Sequence, residues 1–100
     1  MIYIVEDDVN IRELEEYALR NNGFETAGFS DGKSFFAACA KTLPELVILD
    51  IMLPDQNGLE VLRQFRESAD TRNIPAVMVT AKDSEIDVVK CLDQGADDYI

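Results

Sequence analysis

Apolar runs alternate with segments of helical periodicity along the chain, at intervals of about 20 to 30 residues. Residues 2 to 5, 46 to 49 and 76 to 79 are continuous apolar runs rich in Val, Ile and Leu, which predicts strands covered by helices on both faces. Residues 24 to 29 alternate less regularly between glycine-containing turns, so we predict an edge strand there. This rhythm indicates repeated βα units on a parallel sheet.

The segments between the strands carry apolar stripes spaced by three or four positions, which predicts helices. The stripes are Ile11, Leu14, Ala18 and Leu19; Leu59, Leu62, Phe65 and Ala69; and Ile86, Val89, Leu92 and Ala96. Asp8 is a candidate N-cap for the first helix and Ser84 for the last, while Gly23 follows the first helix as a stop signal. Residues 33 to 41 are apolar and predict a shorter helix.

The length of 100 residues indicates a single domain, and 47% hydrophobic with 29% charged residues is ordinary for a soluble globular chain. Apolar runs stay well short of the roughly 20 residues that a membrane helix needs. The first residues have no basic leader followed by a long apolar segment, so nothing resembles a signal peptide. We therefore expect a cytoplasmic protein that does not enter a membrane.

The charge narrows the possible chemistry. Twenty acidic against nine basic residues give a net charge of −11, which repels nucleic acid and anionic lipid, so we expect no direct nucleic acid binding. The chain has no histidine, which excludes mechanisms in which it supplies its own imidazole as base, nucleophile or zinc ligand.

Cys39 and Cys91 lie far apart in the sequence, so we predict two buried free thiols without a role.

Polar side chains follow the predicted strands at the point where each strand ends. Glu6 and Asp7 follow the first strand, Asp50 ends the third, and Thr80 follows the fourth. The carboxyl ends of parallel strands meet at one edge of a sheet, so these residues are expected to converge. Clustered carboxylates need a cation, and oxygen ligands alone favour Mg²⁺. Asp50 beside such an ion is a candidate acceptor of a phosphoryl group, to which the Thr80 hydroxyl would donate a hydrogen bond.

Four segments in this order resemble the receiver domains of bacterial two-component response regulators: IVEDD, LVILDIMLPDQNGLEVL, VMVTAK and GADDYI. The resemblance extends over essentially all 100 residues. It implies an α/β, flavodoxin-like, doubly wound parallel sheet of five strands in the order 2-1-3-4-5. The implied site residues are Asp50 as phosphoacceptor; Glu6, Asp7, Asp50 and the backbone carbonyl of Met52 as Mg²⁺ ligands; Thr80 as switch hydroxyl; and Tyr99 as aromatic switch residue.

The same resemblance implies a signalling switch rather than a turnover enzyme. A sensor histidine kinase would donate the phosphoryl group, the domain would assist its own phosphorylation and slow dephosphorylation, and its altered surface would control an output, with transcription the leading expectation. Homodimerisation on activation is a further expectation.

Two departures from the family pattern concern the C-terminal part of the fold. The family's lysine at the end of strand five would fall two residues beyond Ile100, and Lys82 is not that residue. The fifth helix is also missing. We therefore expect residues 1 to 100 to be a C-terminally incomplete receiver domain, with any output domain outside this chain and with apolar surface exposed on one sheet face.

Two other classes of protein remain as alternatives. An aspartate-nucleophile phosphohydrolase needs a second aspartate two residues after the nucleophile, and Met52 stands there instead. A degenerate receiver would act by binding alone; the intact Glu6 and Asp7 argue against it, while the missing lysine leaves this alternative open. The simplest interpretation of the remaining loop acids is as turn residues or solvated charges. These are Asp31, Asp55, Asp97 and Asp98.

Overall fold

A computed structural model of the chain describes residues 1–50, 53–55 and 57–79, and the backbone of residues 98–99. The elements in chain order are β1 (Ile2–Val5), α1 (Val9–Asn21), β2 (Thr26–Phe29), α2 (Gly32–Lys41), β3 (Leu46–Asp50), α3 (Gly58–Glu67), β4 (Ala76–Val79) and β5 (Asp98–Tyr99). The strands form one parallel sheet in the order β2-β1-β3-β4-β5, which confirms the predicted topology. The helix predicted within residues 84 to 96 lies outside the described residues.

The strand register aligns the carboxyl ends of the central strands. Val5 of β1 pairs with Leu49 of β3, and Asp50 in turn pairs with Val79 of β4. Glu6 follows Val5 and Asp50 follows Leu49, so the two acids lie next to each other at the same edge of the sheet. The fold therefore converts positions 44 residues apart in the sequence into neighbours.

The main hydrophobic core lies between one sheet face and helices α2 and α3. Its centre is Phe35, which is fully buried and has ring centroids 5.6 Å from Phe65 and 6.3 Å from Tyr3. Aromatic pairs at such separations add to the free energy of burial. The buried members of this core are Tyr3, Val5, Phe35, Val47, Leu49, Val61, Leu62, Phe65, Ala76 and Met78.

The opposite sheet face is covered differently, because α1 does not present its apolar stripe to the sheet. Leu14 is 68% exposed and Ile11 is 45% exposed, whereas Arg12 and Glu16 are half-buried. This arrangement involves a contact with the edge strand: Gly28 of β2 has no side chain, and the stem of Arg12 and a carboxylate oxygen of Glu16 occupy the space that a Cβ would need. The exposed apolar side chains named here belong to α1, and the expected exposure of a sheet face stays a prediction.

The helix boundaries follow capping chemistry. The Asp8 side chain accepts hydrogen bonds from the backbone N–H groups of Asn10 and Ile11 at 2.9 and 3.2 Å, which confirms the predicted N-cap. The chain leaves α1 through Gly23, whose φ of 89° lies in the left-handed region that glycine tolerates. Helix α3 ends at Glu67, so the predicted stripe member Ala69 lies beyond it.

Within the described part of the chain, none of the helices has the length and apolar character that crossing a membrane would require.

Candidate functional site

Three carboxylates meet at the carboxyl edge of β1 and β3. Glu6, Asp7 and Asp50 each contribute one oxygen, and these oxygens all lie within 4.8 Å of one another. Their proximity follows from the parallel pairing of β1 with β3, which brings both strand ends to the same edge. The sequence prediction that these three residues converge is therefore confirmed.

The three acids differ in exposure. Glu6 is only 6% exposed, Asp50 is half-buried and Asp7 is exposed. The Glu6 side chain accepts a hydrogen bond from the backbone N–H of Asp8 at 3.2 Å. The same residue is held by its backbone as well, because its N–H donates to the Phe29 carbonyl at 2.9 Å. The most buried acid of the cluster is therefore held through both its side chain and its backbone.

Burial and neighbouring acids change the protonation of Glu6. Loss of hydration, together with hydrogen bonding to the carboxyl groups of Asp50 and Asp7, raises the pKa of Glu6 to about 8. The pKa of Glu15 is also raised, first by burial and then by the negative charge of Asp50. Without a cation, the cluster therefore retains a proton at neutral pH, and a bound cation would displace that proton.

The donor set fits a small, hard cation. All three side chains offer carboxylate oxygen, and Mg²⁺ takes oxygen ligands at about 2.0–2.1 Å, so oxygens on opposite sides of one ion lie about 4 Å apart. The three observed oxygens lie within 4.8 Å of one another, so they could reach that separation without large movement. A mutually repelling and partly protonated acidic cluster is the arrangement that such an ion stabilises.

The remaining predicted site residues are described only in part. Met52 and Thr80 lie outside the described residues, so their roles stay predictions, as does the position of Lys82. The backbone of Tyr99 lies in β5, where it pairs with Met78 of β4, and its side chain is outside the description.

The chain matches the response regulator receiver domain family over residues 2–100. It belongs to that family. DNA-binding response regulator MtrA of Mycolicibacterium paratuberculosis is 46% identical over 99 residues, which cover 99% of this chain and 43% of MtrA. The receiver domain thus spans less than half the length of this relative.

Solved structures agree with the fold of this receiver domain. The BeF3-activated N-terminal receiver domain of RstA from Klebsiella pneumoniae superposes with a TM-score of 0.92 at 32% identity, over 99% of this chain and 82% of that one. The Mn²⁺-bound form of response regulator Rcp1 superposes with a TM-score of 0.91 at 26% identity, over 99% of this chain and 78% of that one.

Asp55 has a role that sequence reasoning missed. Its two carboxylate oxygens accept hydrogen bonds from the backbone N–H groups of Gly32 and Lys33, both at 3.1 Å. These N–H groups begin α2 and have no partner within the helix. Asp55 is an exposed loop residue, as interpreted, and it also connects the loop after β3 to the start of α2. The separation of more than 20 residues leaves no local signal that would have revealed this contact.

Asp31 was also missed, although a signal for it exists. Its side chain accepts hydrogen bonds from the backbone N–H and the hydroxyl of Ser34, both at 2.7 Å, and it forms the N-cap of α2. These bonds lower the pKa of Asp31. An aspartate directly before an apolar helical segment is a typical N-cap pattern, so the role was visible in the sequence.

An open groove of about 650 Å³ lies between the C-terminal ends of α2 and α3, at the sheet edge opposite the acids. Cys39 contributes to its wall, and burial raises the pKa of this thiol to about 11. A thiol with so high a pKa is a poor nucleophile at neutral pH. The groove contains none of the predicted site residues.

Proposed function

We propose that this receiver domain is a phosphorylation-dependent switch in which Asp50 accepts a phosphoryl group from a sensor histidine kinase. The observation that supports the proposal is the convergence of Glu6, Asp7 and Asp50 at one sheet edge, with oxygens within 4.8 Å of one another. In the reaction, an Asp50 carboxylate oxygen forms a bond to phosphorus while the phosphorus–nitrogen bond of the donor phosphohistidine breaks. The product is an aspartyl phosphate.

The other acids prepare Asp50 for this chemistry. Glu6 and Asp7, together with Asp50 and the backbone carbonyl of Met52, would hold Mg²⁺, which offsets the negative charge of the incoming group. Asp50 is half-buried, so its side chain is partly accessible to a phosphoryl donor, and as the last residue of β3 it is held by the sheet. The Thr80 hydroxyl would donate a hydrogen bond to a phosphoryl oxygen, and Tyr99 would change its orientation in response.

The domain would not turn over a substrate, because its own side chain is modified. The added charge of about −1.5 to −2 biases the domain between two conformations, and the altered surface reaches the output through homodimerisation or direct contact. Control of transcription is the output that the similarity to the DNA-binding response regulator MtrA supports. A cytoplasmic location belongs to the same proposal, since a transcriptional output requires access to DNA.

The first test is incubation with Mg²⁺ and phosphoramidate, a small donor with a phosphorus–nitrogen bond, followed by intact-mass analysis. We expect the wild-type chain to gain one phosphoryl group only when Mg²⁺ is present. Asp50→Asn should gain none, and Asp55→Asn, a matched change in the following loop, should still react. A gain in Asp50→Asn, or its absence in the wild-type chain, would refute the proposal.

A further inference from the structure

Arg12 lies beside the acid pair and is not explained by the proposed phosphotransfer. Its Nη1 donates a hydrogen bond to the backbone carbonyl of Glu6 at 2.7 Å. That carbonyl belongs to the peptide between Glu6 and Asp7, so its orientation fixes the direction in which both side chains leave the backbone. A hydrogen bond from a guanidinium is charge-assisted and stronger than one between neutral groups.

The same peptide segment is held from the other side by the edge strand. The N–H of Glu6 donates to the carbonyl of Phe29 in β2 at 2.9 Å. The backbone of Glu6 is therefore held by two contacts, one to β2 and one to α1, in addition to the hydrogen bond that its side chain accepts from Asp8. Of the two backbone contacts, the one to α1 is made by a side chain, that of Arg12, so a substitution of Arg12 can remove it.

Gly28 makes the contact of Arg12 possible. A Cβ at this position of β2 would lie 2.8 Å from the Arg12 Cδ and 2.8 Å from a carboxylate oxygen of Glu16. Real Cβ atoms do not approach so closely, so a side chain at position 28 would displace the Arg12 stem from its present path across the strand. Along this path the guanidinium reaches the sheet edge at which the acids meet.

We propose that Arg12 is a positioning residue that orients Glu6 and Asp7 for cation binding through the Glu6 carbonyl. The inference rests on the proposed Mg²⁺ site and adds a residue outside its ligand set. Contacts of this kind around a metal site commonly change metal affinity by about 10- to 100-fold when they are lost.

The sign of the effect separates positioning from simple electrostatics. Arg12→Gln removes a positive charge near three carboxylates, which by Coulomb's law alone strengthens Mg²⁺ binding. Loss of positioning weakens it instead. We expect the Mg²⁺ dissociation constant of Arg12→Gln, measured by calorimetry, to rise about tenfold. Arg12→Lys, which keeps a cationic donor, should recover part of the affinity.

Arg20→Gln is the matched control. It removes the same charge from the same helix about 12 Å further along the axis, where the Arg20 Nε donates to the Thr26 hydroxyl at 2.9 Å. Its Mg²⁺ affinity should equal or slightly exceed that of the wild-type chain. Gly28→Ala keeps the guanidinium but displaces its flexible stem, so it should weaken binding about threefold without unfolding the sheet. This variant keeps the test decisive if Arg12→Gln fails to fold.

A cation-free measurement distinguishes this inference from the proposed function. Hydrogen bonding at the Glu6 carbonyl is reported by its ¹³C resonance, which should move in Arg12→Gln and Gly28→Ala and stay unchanged in Arg20→Gln. If the wild-type chain does not bind Mg²⁺, the proposed function fails, and the resonance still shows whether Arg12 holds the carbonyl. Unchanged or tighter Mg²⁺ binding by a folded Arg12→Gln chain would overturn the inference.

Discussion

The protonation of Glu6 makes the stability of this receiver domain depend on pH in the absence of divalent cations. The pKa of Glu6 is raised from 4.5 to about 8 in the folded chain. The folded state therefore keeps its proton at pH values at which the unfolded state has lost it. A group that binds more protons in the folded state makes the free energy of unfolding fall as pH rises. The fall begins near the ordinary pKa and is complete above the raised one.

The magnitude follows from the size of the pKa change. Each pKa unit corresponds to roughly 1.4 kcal/mol, and solvent at the open side of the acidic cluster screens part of the change, so Glu6 lowers the free energy of unfolding by on the order of 2 kcal/mol between pH values of about 4.5 and 8. Glu15 acts in the same direction, because its pKa is also raised. For a domain of this size, 1 kcal/mol shifts the melting temperature by about 4–8 °C, so we expect a decrease of about 8–16 °C.

Thermal unfolding followed by circular dichroism in the presence of EDTA measures this effect. The wild-type chain should melt at a much lower temperature at pH about 8.5 than at pH about 5.5. Glu6→Gln cannot ionise, so its melting temperature should vary far less and should exceed that of the wild-type chain at the higher pH. Equal melting temperatures of the wild-type chain at both pH values, or an equally steep decrease in Glu6→Gln, would refute the reasoning.

Three further substitutions or modifications test other parts of the structure. Asp55→Ala removes both acceptors at the start of α2, so it should lower the free energy of unfolding by about 1 kcal/mol in urea titrations. Asp55→Asn should lower it by about half as much. No decrease in either variant would contradict the capping role. Phe35→Ala opens the fully buried core and should cost about 3–5 kcal/mol in the same assay, and a cost under about 1 kcal/mol would place Phe35 outside the core. The pKa of the Cys39 thiol is raised from 9.0 to about 11. At pH about 8 this thiol should therefore be alkylated about 100-fold more slowly in the folded chain than in urea, as measured by peptide mapping. Equal rates would show that the thiol is not buried.

Local patterns predicted the parts of the fold that local chemistry determines. The bounds of β1 and β4 and the N-cap Asp8 are as predicted, because continuous apolar runs and a capping aspartate act within a few residues. The convergence of Glu6 and Asp50 also followed, since the topology of a parallel sheet brings strand ends together.

Contacts between distant segments were not predictable in the same way. The apolar stripe of α1 suggested a buried face, yet Arg12 is more buried than Leu14 because the strand beneath it has Gly28 at the point of contact. Asp55 binds the start of α2 through a loop whose path no periodicity describes. In both cases the deciding partner lies far away in the sequence, and the pattern of a single helix or loop contains no information about it.

The contrast between the two sheet faces has a consequence for local opening. Helix α1 has no fully buried residue, whereas α2 and α3 enclose the aromatic core. Segments with little buried apolar surface open at a lower free energy than the global transition. Detachment of α1 would leave the core intact but would break the contact between Arg12 and Glu6. Hydrogen exchange should therefore show α1 opening before the central strands, and the integrity of the acidic cluster would be governed by this partial opening rather than by global unfolding.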